Sequence, residues 1–362
     1  MKIRNNMFLA LAVLVFLLIH TIVIFWFCQN TPGLALNTLA KILPLLLTVG
    51  YIVLYAFTKK INFWPLEFIL LTYIGALFMA FCLVFGIVAL TLVLKIFNLT
   101  LPSNLGFWAL GTWCIIVMIS LYTAARPPKI NNITLKANNI KQNMKIAFIS
   151  DTHFGATVDL KRAKNLKQII ENNKPDLIVF TGDIFETNFK DSIPFAEVFA
   201  DILPDKKFGV LGNHEYYQGI DNARQSFKKA GIVLLENKNQ NMGDINIIGV
   251  NDIRTAHISK QEFKNILKQY IKPDTFNLLL THTPMYFEEA SKLGVNLMLS
   301  GHNHNGQMWP FNFLVQLTNK YLYGHFKSDQ ANLFVTSGTF FWGPPLRFLT
   351  NNEIVFITLE GA

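Results

Sequence analysis

Five short clusters in the second half of the chain hold the residue types that bind metal ions and move protons. They are Asp151 and His153 in "SDTHFG", Asp183 in "TGD", Asn213 and His214 in "GNHE", His282 in "LLLTHT", and His302 and His304 in "GHNH". The set is oxygen and nitrogen throughout, and no cysteine falls in this half, so any metal held here has carboxylate, amide and imidazole ligands. His302 and His304 are two positions apart. On a strand or its extension that spacing turns both imidazoles to the same side, a geometry suited to a pair of ions.

These clusters need elements that bring them together from a stretch of more than a hundred residues. Each follows a short apolar run: "MKIAFIS", "DLIVF", "KFGVL", "FNLLLTH" and "VNLMLS". Three similar runs, "INIIGV", "NLFVTS" and "EIVFITLE", carry no cluster. Helix-like segments at 160–172, 222–230 and 260–270 lie between them. Alternating strands and helices predict an α/β layered domain over 144–362 whose strands are buried on both faces. In such folds the loops at strand ends converge, so the five clusters are expected at one point.

The first 125 residues belong to a different solvent. The chain has 362 residues, 51% hydrophobic and 15% charged, and its mean hydropathy is positive. Residues 1–125 hold six Lys or Arg and one acid, Glu67, leaving 26 of the 32 basic and 22 of the 23 acidic residues to the rest. Four apolar stretches, near Met7–Cys28, Leu36–Phe57, Leu66–Phe97 and Leu105–Ala125, reach the roughly 20 residues that cross a bilayer. The first is read as a span and not a cleaved leader, because three more follow it. Lys2 and Arg4, Lys59 and Lys60, and Arg126 and Lys129 alternate with the loops "QNTPGLA" and "NLTLPSN", which have no basic residue. That asymmetry puts both termini and the C-terminal domain in the cytoplasm, at the inner membrane. Cys28, Cys82 and Cys114 all fall in or beside the spans, so no disulfide framework is expected. The paired prolines of "RPPKINNITLKANN" end the last helix, and 126–143 reads as a linker with a first edge strand. The net charge of +9 does not argue for nucleic acid, because over half of it comes from residues at the membrane edge.

The ordered series D-x-H, G-D, G-N-H-E, H, G-H-x-H resembles the calcineurin-like metallophosphoesterase superfamily from about Lys145 to the C-terminus. "GHNHNGQ" departs from the commoner form at Asn303 and Asn305, neither of which is a ligand position. The resemblance implies a four-layer αββα sandwich behind the four-helix transmembrane region, with two divalent metal ions, Mn²⁺ favoured and Fe or Zn²⁺ as alternatives. One ion would take Asp151, His153 and His304, the other Asn213, His282 and His302, and Asp183 would bridge them. Hydrolysis of a phosphoester by a water activated between the ions follows from the same resemblance, with His214 as the catalytic non-ligand histidine. Arg347, in "WGPPLRF", is either the candidate phosphate clamp or a surface or membrane-facing charge. Glu215 is either a partner that orients His214 or a solvated turn acid.

Several spans ahead of such a domain are also similar to the membrane-bound UDP-2,3-diacylglucosamine pyrophosphatases of lipid A biosynthesis. That likeness implies a nucleotide-linked lipid substrate reached from the phospholipid bilayer, cleaved to UMP and 2,3-diacylglucosamine 1-phosphate. A general cell-envelope phosphodiesterase and a non-catalytic metal-binding membrane sensor are the other readings. The late segments "GQMWPFNFLVQL" and "FFWGPP" are either core loops or surfaces for acyl chains.

Overall fold

Long runs of Leu, Ile, Val and Phe with no competing side-chain hydrogen bonds leave the N-terminal third one way to satisfy its backbone in an apolar medium, which is helix. In the computed structural model, which describes residues 2–34, 38–61, 63–137, 139–187, 189–329 and 331–361, four helices form there: α1 (Lys2–Asn30), α2 (Thr38–Ile61), α3 (Trp64–Ile96) and α4 (Leu105–Ala125). Each is long and apolar enough to cross a membrane, over Leu9–Asn30, Ala40–Thr58, Trp64–Ile96 and Leu105–Ala125. At 33 residues, α3 is about 50 Å long and overruns a hydrocarbon core of about 30 Å. The first compact unit comprises residues up to Tyr122 with Gly343–Leu346.

Polar groups inside this unit are paired, as an apolar medium requires. The buried His20 on α1 places Nδ1 2.9 Å from the Phe16 carbonyl and 3.1 Å from Thr48 Oγ1 of α2, and Nε2 2.6 Å from the Tyr73 hydroxyl of α3. With the proton on Nδ1, the ring donates to the carbonyl and accepts from the tyrosine. Trp113 of α4 donates from Nε1 to the Ala76 carbonyl of α3 at 2.8 Å.

The second unit, Thr123–Trp342 with Arg347–Ala362, is the α/β domain. Its elements are β1 (Lys129–Lys136), β2 (Met144–Ile149), α5 (Leu160–Asn173), β3 (Leu177–Phe180), α6 (Phe189–Ala200), β4 (Lys207–Gly209), α7 (Asn213–Gln218), α8 (Ile220–Lys229), β5 (Val233–Leu234) and β6 (Lys238–Met242). There follow β7 (Ile245–Gly249), α9 (Lys260–Tyr270), β8 (Phe276–Leu280), α10 (Phe287–Leu293), β9 (Leu297–Ser300), α11 (Phe311–Thr318), β10 (Gly324–Ser328), β11 (Ala331–Val335) and β12 (Glu353–Glu360).

Two six-stranded sheets result, ordered β1-β12-β2-β3-β4-β5 and β10-β11-β9-β8-β7-β6. Strands β2 to β5 pair parallel, as do β7, β8, β9 and β11, so the carboxyl ends of the cluster-bearing strands lie on one edge of each sheet. Side chains alternate across each strand. Ile146 and Phe148 of β2 point between the sheets, where they meet Leu278, Leu280, Leu299 and Ile357. Ala147 and Ile149 point outward, into a layer with Leu166 and Ile170 of α5 and Phe195 and Phe199 of α6. On the far face, Ile248, Leu279 and Met298 pack on Phe263 and Leu267 of α9 and Phe287 of α10. Helix, sheet, sheet, helix: burial of every strand residue in β2's last four positions, β3, β8 and β9 is why those runs are apolar without alternation.

Candidate metal centre

The ends of β2, β3, β4, β8 and β9 bring the sequence clusters together. Asp151, His153 and His304 form one group whose ligand atoms lie within 4.8 Å of one another, and Asp183, His282 and His302 form a second. In the first, His153 Nε2 is 3.1 Å from His304 Nε2, and His304 Nε2 is 3.5 Å from Asp151 Oδ1. In the second, His282 Nε2 is 3.1 Å from Asp183 Oδ2 and 3.0 Å from Asn213 Oδ1, which is itself 2.9 Å from His302 Nδ1. Asp183 Oδ2 is also 3.9 Å from His153 Nε2, so this one carboxylate reaches both groups.

The outward-facing atoms decide which lone pairs point in. His282 donates from Nδ1 to the Thr181 carbonyl at 2.8 Å, and His153 Nδ1 is 2.6 Å from Glu186 Oε2. Each bond fixes the proton on Nδ1 and turns the Nε2 lone pair toward the cluster. Imidazole nitrogens gathered within about 3 Å of one another beside buried carboxylates are the donor set of a cation site. The donor set therefore fits two divalent ions.

The backbone is shaped for this purpose. Asp151, His153, Asp183, His302 and His304 all have φ between 46° and 73°. An L residue pays roughly 1–2 kcal/mol there, and such strain gathers where function needs it. Two glycines let the loops close on the carboxylates. A Cβ on Gly212 would lie 2.2 Å from Asp183 Oδ1, and one on Gly301 would lie 2.1 Å from Asp151 Oδ2. Each carboxylate also accepts a backbone N–H from another loop: His302 N donates to Asp151 at 3.0 Å and His214 N to Asp183 at 2.9 Å.

His214 lies beside the two groups, with Nε2 4.0 Å from Asp183 Oδ2. Its Nδ1 is 2.8 Å from Glu186 Oε1, and that same carboxylate holds His153 through its other oxygen. Burial pushes the His214 imidazole down, but Glu186, Asp183 and Glu215 outweigh it and hold the ring at about 8. Burial would likewise raise Glu186, and the two imidazoles instead bring it to about 2. Tyr217 and Trp342 stand edge-on to the His214 ring, at centroid distances of 5.4 and 5.6 Å.

Glu186 is the functional residue that the sequence reading missed. Its only sequence signal is an acid three places after Asp183, in "GDIFE". Glu215, in contrast, neither orients His214 nor faces solvent. It is buried, and its two oxygens accept from the backbone N–H groups of Gly212, Asp183 and Ile184 at 2.7, 2.9 and 2.7 Å, pinning the β3 loop to the β4 loop.

Arg347 is also corrected. Its side chain is fully buried and donates to the carbonyls of Ser337 at 2.6 Å, of His304 at 3.4 Å and of Phe340, with Nη2 3.2 Å from His304 Nδ1. Fully buried and turned to backbone carbonyls, this guanidinium is not presented to a substrate phosphate. It braces the loop that carries His304, and burial lowers it to about 10.

Residues 144–306 match the calcineurin-like phosphoesterase family. An uncharacterized metallophosphoesterase of Campylobacter jejuni is 30% identical over 273 residues, covering 74% of this chain and 72% of its own length. One from Helicobacter pylori is 30% identical over 244 residues, 66% of this chain and 65% of its own. A transmembrane protein with metallophosphoesterase domain from Danio rerio is 24% identical over 272 residues, 70% of this chain and 62% of its own. The chain thus spans about two thirds of the length of these relatives. Matched over 72% of a metallophosphoesterase at 30% identity, and with the Asp, Asn and His clusters converging at the strand ends, the chain belongs to the calcineurin-like metallophosphoesterases, hydrolases of phosphoesters.

Proposed function

We propose that the protein is a membrane-anchored phosphoesterase with two divalent ions, and that its substrate is a nucleotide-linked lipid. The observation that carries the metal chemistry is the single carboxylate, Asp183, within reach of two histidine groups. Asp151, His153 and His304 would hold one ion, Asn213, His282 and His302 the other, and Asp183 both. Such a pair, when bound, supplies Lewis acidity to a phosphoryl oxygen and acidity to a coordinated water.

The chain's own groups do the rest. His214 is no ligand in this assignment. With Nδ1 held by Glu186, its Nε2 faces the cluster, 4.0 Å from Asp183 Oδ2, where it can donate a proton. It stabilises a phosphoryl oxygen or protonates the leaving oxygen.

The finer substrate, UDP-2,3-diacylglucosamine cleaved to UMP and 2,3-diacylglucosamine 1-phosphate, is supported by the sequence resemblance and by four membrane-length helices on the same chain. The alternation of basic loops supports a site on the cytoplasmic face of the inner membrane. The test is UMP release from this substrate by full-length protein in detergent with Mn²⁺, followed by mass spectrometry. Wild type should release UMP, with His214→Ala slower by roughly 10²–10⁴-fold and Asp183→Ala inactive. Turnover of bis-p-nitrophenyl phosphate without UMP release would retain the metal chemistry and replace the substrate with a simpler phosphodiester of the envelope.

A further inference from the structure

Helix α11 has the sequence FNFLVQLT, with five apolar residues in eight, and none of its residues is buried. Leu317 is 81% exposed, Phe313 57% and Leu314 55%, with Trp309 just ahead of the helix at 45%. The contrast with α9 is instructive: there Phe263 and Leu267 are buried and the exposed positions are Lys, Gln, Glu and Asn. A helix that turns its leucines and phenylalanines outward is made for an apolar phase outside the protein.

It is also fixed to the metal centre. Only four residues separate the ligand His304 from Trp309, and they are locked. Gln307 exchanges two hydrogen bonds with the backbone of Trp342, at 2.9 Å each, and Trp309 N donates to the Phe348 carbonyl at 3.1 Å. Next to Phe348, Leu349 is 71% exposed, and Trp342, 51% exposed, stands against His214. An apolar rim therefore runs from α11 to the catalytic histidine.

We infer that α11 and Trp309 form an interfacial element that lies in the surface of a lipid bilayer, so that the metal centre takes phosphoesters carried by lipids at headgroup depth. The occupant is lipid because the same chain carries four membrane-length helices, and only three residues lie between the end of α4 at Ala125 and the start of β1 at Lys129. Three residues reach about 10 Å, so the first strand of the domain is tethered directly to the last of those helices. Leucine and phenylalanine with a tryptophan at the border is also the composition that settles at the membrane–water boundary. The inference rests on the phosphoesterase reading for its substrate, though not for its geometry.

The test uses the full-length chain, with Cys28, Cys82 and Cys114 changed to serine, in phosphatidylcholine–phosphatidylglycerol vesicles. An environment-sensitive fluorophore goes on Leu317→Cys or, as control, on Lys268→Cys of α9. Both positions are exposed, so labelling leaves the core intact. A nitroxide on a shallow acyl position should quench the 317 label at least about twofold more than the 268 label. Equal quenching at the two positions overturns the inference. So does self-quenching at 317 that rises with protein density and ignores the lipid nitroxide, which would make α11 a contact between copies. Because depth is read without turnover, an inactive enzyme leaves this test standing, and turnover without quenching would spare the phosphoesterase reading. A second variant, Leu314→Glu with Leu317→Glu, should lower the ratio of phosphatidyl-p-nitrophenol to bis-p-nitrophenyl phosphate hydrolysis about tenfold. An unchanged ratio contradicts the inference.

Discussion

Glu186 holds two histidines with one carboxylate, and that sharing has a measurable cost when broken. Glu186→Gln keeps the shape but removes the charge that fixes both Nδ1 protons, so kcat should fall roughly 10–100-fold, with metal affinity weakened over a similar range. Glu186→Asp should recover part of both. Steady-state kinetics beside metal titration checks this, and a variant with wild-type kcat would remove Glu186 from the site. For Arg347 the expected effect is on stability. Arg347→Met leaves the carbonyls of His304, Ser337 and Phe340 without a donor, at roughly 1–3 kcal/mol for each that finds no other. Thermal unfolding of the detergent-solubilised chain should show the loss; a raised KM with unchanged melting would restore the phosphate clamp. At this scale the residues that converge were legible because Asp, Asn and His follow apolar runs with no packing reason to be there. Glu186, Glu215 and Arg347 were not, because each acts through at least one partner 28 to 43 positions away that no local pattern encodes.

Among elements, the strand ends depend on close approach of one loop to the next. Gly301 sits against the Asp151 carboxylate and the Ser150 hydroxyl, both 2.1 Å from where a Cβ would be. Gly301→Ala must push that carboxylate aside, so at least one ion should bind about tenfold more weakly, read by equilibrium dialysis, while far-ultraviolet circular dichroism stays near wild type. Unaltered binding of both ions would show that the cradle is looser than its geometry. The buried strands were legible because both faces are apolar: β2, β3, β8 and β9 read as uninterrupted runs. The edge strands β6, "KNQNM", and β10, "GHFKS", were not, since each has one neighbour in its sheet and is largely solvated, so it need not be apolar. Helix α6 was hidden by Pro194 within it, and α11 by an apolar pattern equally suited to a core loop.

The whole molecule joins four apolar helices to a domain whose buried acids and imidazoles bound cations would balance. Removing the ions leaves Asp151 and Asp183 beside one another at full burial, with only histidines to offset them. Chelation should therefore abolish hydrolysis and lower the thermal midpoint of the α/β domain, and restoring divalent ions should reverse both. The two-part organisation was legible from composition, because apolar length and charge asymmetry report the solvent each part meets.

The central claim is that one carboxylate joins two metal sites, and metal content measures it most directly. Elemental mass spectrometry of the full-length chain, purified in detergent and loaded with Mn²⁺, should find about two ions per chain. Asp183→Asn should lower that content and abolish phosphodiester hydrolysis together. A wild type that binds a single ion, or an Asp183→Asn variant that keeps its full content and activity, would contradict the account.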